Sequence, residues 1–333
     1  MSPLCDKEGM YRMKKTPKLL VVGSLVMDLI VTTPRFPAAG ETVLGTDYQT
    51  ASGGKGANQA VQMGKLGAKV SMAGKVGEDD FGTAMIASLK QAGVSTAHIS
   101  RTSQASSAIG NVQVEINEGG NQNRIIVVSG ANMLLAAEDI AFLEREIADY
   151  DMVLLQHEIP QAINELVAGL AHSAGVPVML NTAPYAPVPD DYLAKLSYVS
   201  PNEHEASHLS GVQVTDLDSA WQAADVLLKK GVGAVLITLG RQGAVYMDAQ
   251  QKLHSPSVPG TIAVDPTAAG DSFVGAFCTA LCAGAKVDEA MRFANHTASI
   301  TVSRMGAQPS LPTMDEVLSL MREKGVAPGD WVN

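Results

Sequence analysis

"DLDSAWQAADVLLKKGVGAVLITLG", residues 216–240, joins an amphipathic stretch to a short apolar run rich in β-branched residues. The first part, 216–231, has the pattern of a helix with one buried face, and the second, 234–240, has the length and composition of a buried strand. The same alternation continues outward. "KLLVVGS" (18–24), "MVLLQ" (152–156) and "VPVMLN" (176–181) read as further buried strands, and "QAINELVAGLAHSAG" (161–175) as another amphipathic helix. Apolar strands alternating with helices predict an α/β fold, a doubly wound and mainly parallel sheet with helices on both faces.

Two segments break the alternation. "ETVLGTDYQTA" (41–51) and "SSAIGNVQVEINEGGNQNRIIVVSG" (106–130) contain strands with no helix between them, and "NEGGN" is a hairpin turn signal. They predict a small β-sheet lid, inserted by two excursions of the chain near 35–52 and 104–130. Residues 1–17 have no apolar run of a secretory signal and are expected to be a disordered leader; 326–333 are expected to be a tail. No linker, low-complexity tract or 20–50-residue repeat interrupts the rest.

Composition narrows the function classes. A chain of 333 residues, 46% hydrophobic, can bury a large core, and no stretch approaches the ~20 apolar residues of a membrane helix. A net charge of −10 disfavours a nucleic-acid partner, although a small anionic ligand needs only a local patch of donors. Three cysteines, Cys5, Cys278 and Cys282, argue against a disulfide framework and for a reducing cytoplasm. The last two share a helical face and are expected to act as small buried hydrophobes.

Open α/β sheets bind ligands beyond the carboxyl ends of their strands. Asp28, Glu158, Asn181, Asn202, Glu205 and the Gly240–Gly243 turn all follow predicted strands. Each alone suits a cap or a turn; so many strand ends supplying such groups suggest a site. "ASGGKGANQAVQMGKLG" (51–67) opens a helix with Gly53, Gly54 and Gly56, and fits neither the Walker A spacing nor the dinucleotide one. Its glycines allow close backbone approach, and Lys55 and Asn58 supply donors. At "TAAGD" (267–271), small residues leave a helix N-terminus bare, which is a ready anion site. Asp271 suits helix capping. An acid is a poor choice for holding phosphate, however, and a good one for taking a proton from a hydroxyl that attacks it. A rival pattern, "HEASH" (204–208), matches the zinc-hydrolase motif through His204, Glu205 and His208, but Val214 stands where a third histidine ligand is expected.

"GGKGANQA" (53–60) and "DPTAAGDSF" (265–273), with "SPNEHE" (200–205), "TLGRQG" (238–243) and "SRMGAQPSLP" (303–312) in order, carry a specific likeness. Over about residues 18–320 the chain resembles the ribokinase and minor-phosphofructokinase family of carbohydrate kinases, and "GGKGAN" resembles its ribokinase branch. The resemblance implies a kinase domain over 18–325 with a β-lid that often forms a homodimer interface. It implies ATP-dependent phosphorylation of a pentose on its terminal hydroxyl, D-ribose first, with 2-deoxyribose or another sugar or nucleoside as alternatives. Asp28, Gly54, Lys55, Gly56, Asn58, Glu158 and Asp271 would contact the sugar. Asp271 would be the base, and the amides of Ala269, Gly270 and Asp271 the anion hole. Asn202, Glu205, Thr238, Gly240, Gly243, Gly270 and Asn295 would line the ATP site, with Glu205 holding Mg²⁺ through water. Asp265, Thr267, Thr301, Arg304, Gly306 and Ser310 would form a K⁺ loop, mostly through carbonyls. Three residues depart from the family pattern: Val26 replaces an Asn common in bacterial ribokinases, His157 an apolar residue, and Pro266 a Thr.

Overall fold

A computed structural model describes residues 12–117 and 120–333. Nine strands form one sheet: β1 (Lys18–Val22), β4 (Lys69–Gly77), β5 (Ser95–Thr102), β8 (Met152–Gln156), β9 (Val178–Asn181), β10 (Tyr198–Ser200), β11 (Ala234–Thr238), β12 (Ala244–Asp248) and β13 (Lys252–Ser255). Their spatial order is β13-β12-β11-β10-β9-β8-β1-β4-β5, parallel from β11 to β5 with β12 and β13 antiparallel at one edge. The expected α/β architecture is present. A strand covered on both sides reads as a continuous apolar run, and β1 illustrates the reason. Its Leu19 and Val21 enter the core on one face of the sheet, and Leu20 and Val22 the core on the other. Alternate residues of β8 and β11 divide in the same way.

The first layer holds α1 (Lys55–Lys65), α2 (Asp80–Gln91), α8 (Ala269–Cys282), α9 (Val287–Val302) and α10 (Met314–Glu323). The second holds α4 (Gln161–Ser173), α6 (Glu203–Ser210) and α7 (Leu217–Lys229), with the short α3 (Leu143–Glu146) and α5 (Asp190–Leu193). The helix predicted from 216 is α7. Asp216 caps it by accepting the Ser219 N–H at 2.8 Å, and Ala220, Ala223, Ala224 and Leu227 form the buried i, i+3, i+4, i+7 stripe. Cys278 is fully buried in α8, where burial pushes its thiol pKa up, as suits a small hydrophobe. Cys5 lies outside the described residues.

A second sheet, in the order β3-β2-β6-β7, contains β2 (Val26–Thr33), β3 (Asp47–Gly53), β6 (Ala108–Asn117) and β7 (Gly120–Val128). It corrects the expected lid boundary: β2 starts at Val26, well before 35, because only the Gly23–Ser24–Leu25 step separates it from β1. Asp28 therefore lies inside a lid strand, not at the end of a core strand. β6 and β7 pair from Asn117 opposite Gly120, the hairpin geometry that "NEGGN" predicts, and Glu118 and Gly119 themselves lie outside the described residues.

Both terminal expectations also change. Residues 1–11 lie outside the described residues, but Met13 bridges Val332 and Lys14 N–H donates to Trp331 O at 2.9 Å. Trp331 is buried edge-on against Phe293 at 5.0 Å. The 12–17 segment and the 326–333 tail thus close on each other, with Trp331 as the apolar anchor that holds them.

Candidate active site

Strand order reverses at β1, which leads toward β4 and β5 on one side and toward β8 to β11 on the other. The crevice beyond β1 and β8 is the topological switch point, where α/β sheets take ligands. β1 gives way there to Gly23 and Ser24, β8 to His157 and Glu158, and α1 starts beside both. Glu158 Oε2 accepts from Ser24 Oγ at 2.5 Å and from the Lys55 N–H at 3.0 Å, and Ser24 Oγ accepts the Gly56 N–H at 3.3 Å. Two glycines make this approach possible. Gly54 has φ +91°, and a Cβ there would lie 2.8 Å from Val26 N; one on Gly56 would lie 2.6 Å from Ser24 N. The Lys55 side chain is partly buried, and its desolvation disfavours the ammonium. The carboxylates of Asp271, Glu158 and Glu205 outweigh that penalty and hold its pKa above the ordinary value.

The lid contributes Asp28, whose carboxylate lies between two backbones. A Cβ on Gly53 would be 2.7 Å from its Oδ2, and one on Gly110 2.3 Å from its Oδ1. Both neighbours must be glycine for the acid to fit. Burial and then Glu158 raise the Asp28 pKa to about 6. Val26, two residues earlier on the same face of β2, is buried, with Cγ1 3.8 Å from the place a Gly110 Cβ would take.

α8 brings the third component. Ala268 caps it in the left-handed region, at φ 60°. The first backbone bond of the helix runs from Ser272 N–H to Ala268 O at 2.8 Å, so the Gly270 and Asp271 N–H groups sit ahead of it at the positive end. Ala269 differs from expectation: its N–H donates to Pro266 O at 3.2 Å, which takes it out of a three-amide anion hole. A Cβ on Gly270 would meet no protein atom within 4 Å, so neither packing nor a positive φ requires glycine there; it leaves the helix end bare. Asp271 is buried, and accepts from Asn58 Nδ2 at 2.9 Å and Gln59 Nε2 at 3.2 Å. α1 and α8 approach closely because residue 275 is glycine, whose Cβ would sit 3.2 Å from Gln59 O.

A family model described as "pfkB family carbohydrate kinase" matches residues 16–314. The chain belongs to the pfkB family of carbohydrate kinases. It is 41% identical over 309 residues to the Haemophilus influenzae protein named ribokinase, covering 93% of this chain and 99% of that one. It is 33% identical to a Salmonella typhi deoxyribokinase, over 90% of this chain and 96% of that protein. Among solved structures, the Arabidopsis thaliana ribokinase complexed with ribose and ATP superposes with a TM-score of 0.85 at 34% identity, covering 92% of this chain and 99% of that one.

The residues expected to line an ATP site fall into two groups. Asn202 bridges to Thr238 and caps α6: its Oδ1 accepts the Glu205 N–H at 2.9 Å, and its own N–H and Nδ2 donate to Glu205 Oε2 and Oε1 at 3.0 and 2.9 Å. Thr182 Oγ1 adds a bond to Glu205 Oε2 at 3.1 Å. This geometry overturns the zinc-hydrolase alternative. Glu205 is turned inward and fully bonded while His204 and His208 are exposed, and no group of three metal-ligating side chains occurs among the described residues. Gly240 and Gly243 both have positive φ in the turn after β11. Gly243 and Asn295 meet at one place: a Cβ on Gly243 would lie 2.1 Å from Ser255 O, the atom that accepts from Asn295 Nδ2 at 3.0 Å.

The loops at 265–267 and 301–310 lie against each other. Asp265 Oδ1 accepts the Thr267 N–H at 2.9 Å and its Oδ2 the Gly306 N–H at 2.8 Å. Thr301 and Ser310 are buried, bonded to Thr297 O and Ala307 O, and Arg304 pairs with Glu316 at 2.6 Å. The Asp265 carboxylate and the Thr301 and Ser310 hydroxyls are thus bonded within the protein. Asn181 binds Ser200 O at 2.9 Å and is a strut between β9 and β10, not a ligand group. Sequence reasoning missed Ser24, Gln59, Gln156 and Thr182, buried polar residues of which Gln59 and Gln156 lie on core elements and Ser24 and Thr182 just beyond β1 and β9.

Proposed function

We propose that the chain is an ATP-dependent pentose kinase that transfers the γ-phosphate of ATP to the 5-hydroxyl of D-ribose. The observation that carries this reading is Asp271, a buried carboxylate fixed by Asn58 and Gln59 on the first turn of a helix whose Gly270 end is bare. The 5-hydroxyl gives its proton to Asp271 as its oxygen attacks the γ-phosphorus, and the bond from that phosphorus to the β-phosphate oxygen breaks to release ADP. The Gly270 and Asp271 amides, with the cationic Lys55, face the charge that develops on the transferring group. Asp28, Glu158 and Asn58 supply polar groups that can orient the sugar hydroxyls. Mg²⁺ accompanying ATP neutralises phosphate charge; Glu205, with both oxygens already bonded, would hold it through water. K⁺ would be held by carbonyls of the 265–267 and 301–310 loops, stiffening the approach to α8.

The ribose and ATP named for the Arabidopsis structure, and the ribokinase name of the Haemophilus relative, support the sugar choice. Val26 supports a second substrate. It replaces a polar residue on the Asp28 face with an apolar wall, and the Salmonella relative is named deoxyribokinase. A lid-mediated homodimer is supported by the apolar residues that β7 leaves exposed, and two unpaired thiols suit a reducing cytoplasm. A coupled ADP-release assay over ribose, 2-deoxyribose, fructose and adenosine tests the assignment. Turnover with ribose, weaker turnover with 2-deoxyribose and little with the other two is expected. Turnover with adenosine alone would overturn it.

A further inference from the structure

Asp271 is held by more than its nearest neighbours. Gln59 donates to its Oδ1, and Gln59 Oε1 in turn accepts from Gln156 Nε2 at 2.8 Å. Both glutamines are fully buried, on α1 and at the end of β8. An ionised carboxylate only accepts hydrogen bonds. The Gln59 amide must therefore turn its nitrogen to Asp271 and its oxygen away, and Gln156 must meet that oxygen with its own nitrogen. A reversed Gln59 would set oxygen against carboxylate and nitrogen against nitrogen. Gln156 is seated for this role: Asn164 Nδ2 holds its backbone oxygen at 2.8 Å, and a Cβ on Gly23 would lie 2.0 Å from its Oε1. That Oε1 has no hydrogen-bond partner among the described residues, an expensive arrangement in a core, and it is kept with the nitrogen aimed at Gln59.

We propose that Gln59 is a positioning residue for the base and that Gln156 sets its direction, so that the end of β8 and the start of α8 are linked by one polarised amide chain. The proposal rests on Asp271 being the base. With each carboxylate oxygen tied to a different side chain, the carboxylate cannot rotate, and the lone pairs left over stay aligned for the sugar hydroxyl. Misalignment of a reacting group by about 1 Å costs on the order of 10²-fold in rate.

The test uses Gln59→Met and Gln156→Met, which retain shape and remove the amide, singly and together, beside Asp271→Asn. Gln59→Met should lower kcat by roughly 10–100-fold, with KM for ribose and ATP within about threefold of wild type. Gln156→Met should lower kcat by a smaller factor. The double variant should be no slower than Gln59→Met, because Gln156 acts only through Gln59. Melting temperatures distinguish this from general damage, and if Gln59→Met folds poorly, the same kcat-against-KM split in Gln156→Met decides. Single variants that turn over within about twofold of wild type, or a double variant whose losses multiply, would overturn the proposal. The base assignment fails separately, if Asp271→Asn itself keeps turning over.

Discussion

At the scale of single residues, the buried Asp271 and the half-buried Asp28 make different predictions. Asp271→Asn keeps the shape and removes the proton acceptor, so kcat should fall by ~10²–10⁴-fold, the usual worth of a positioned base, with ATP binding retained by calorimetry. Asp28 gives a pH signature. Its pKa, raised to about 6, means that folding favours the protonated form relative to the unfolded chain. Stability from that residue is fully present below its ordinary carboxylate range and is lost as pH rises through about 6. Asp28→Asn should therefore raise the melting temperature of the free enzyme at pH 8 and leave it unchanged at pH 4. On the proposed reading the ionised Asp28 accepts from a sugar hydroxyl, so kcat/KM for ribose should fall as pH drops through about 6, and the variant should lack that acid limb. Val26 makes a prediction about selectivity. An apolar wall discriminates by only ~10–200-fold where a hydrogen-bonding site reaches ~10⁴. Wild-type kcat/KM values for ribose and 2-deoxyribose should lie within about two orders of magnitude, and Val26→Asn should move the ratio toward ribose by about tenfold or less. Steady-state kinetics with both sugars at fixed ATP measures this, and a native preference above ~10⁴-fold would mean that another group reads the 2-hydroxyl.

At the scale of elements, the lid holds its acid by leaving out side chains. β2 presents Asp28 between β3 and β6; Gly110 of β6 is its register partner, and Gly53 of β3, paired with Val26, lies beside its carboxylate. In Gly110→Ala the new methyl would meet Asp28 Oδ1 at 2.3 Å, so the carboxylate must swing away. KM for ribose should rise by roughly tenfold or more, the scale of one lost charged hydrogen bond, with kcat much less affected because Asp271 is on another element. Equal losses in kcat and KM would mean that the lid also shapes the reacting centre. The elements also explain what the sequence revealed. α7 was legible because cap, apolar stripe and terminal glycine agree, and β8 because a strand buried on both faces is apolar throughout. β2 was missed because it continues β1 after only three residues, and its alternation resembles more of the same strand. In the site, Asp271 and Lys55 were singled out from motifs and Glu158 from its place after a strand, but Gln59 and Gln156 meet across 97 positions. No local periodicity encodes which buried amide faces which.

At the scale of the molecule, the lid sheet is the part left least covered. Ile125, Ile126, Val127 and Val128 are 55, 64, 54 and 48% exposed along β7. Successive strand residues point to opposite faces, so both faces of this edge strand are bare and apolar. A strand with one solvated face would alternate polar residues there, and an uncovered apolar edge invites pairing. Tyr48 and Ile116, 58 and 52% exposed, add to the same sheet. A second copy of the chain, laid lid to lid, would cover these residues and brace β2, and with it Asp28. The wild-type protein should therefore sediment as a dimer at micromolar concentration, with a melting temperature that rises with concentration. Ile126→Glu sets a charge in that surface and should shift sedimentation to the monomer. KM for ribose should rise in the monomer, because a lid without its partner holds Asp28 less firmly, while kcat at saturating sugar stays within a few-fold, because α1, β8 and α8 belong to the body of each subunit. A wild-type protein that sediments as a monomer at every concentration would remove the dimer from this account and leave the β7 apolar face unexplained.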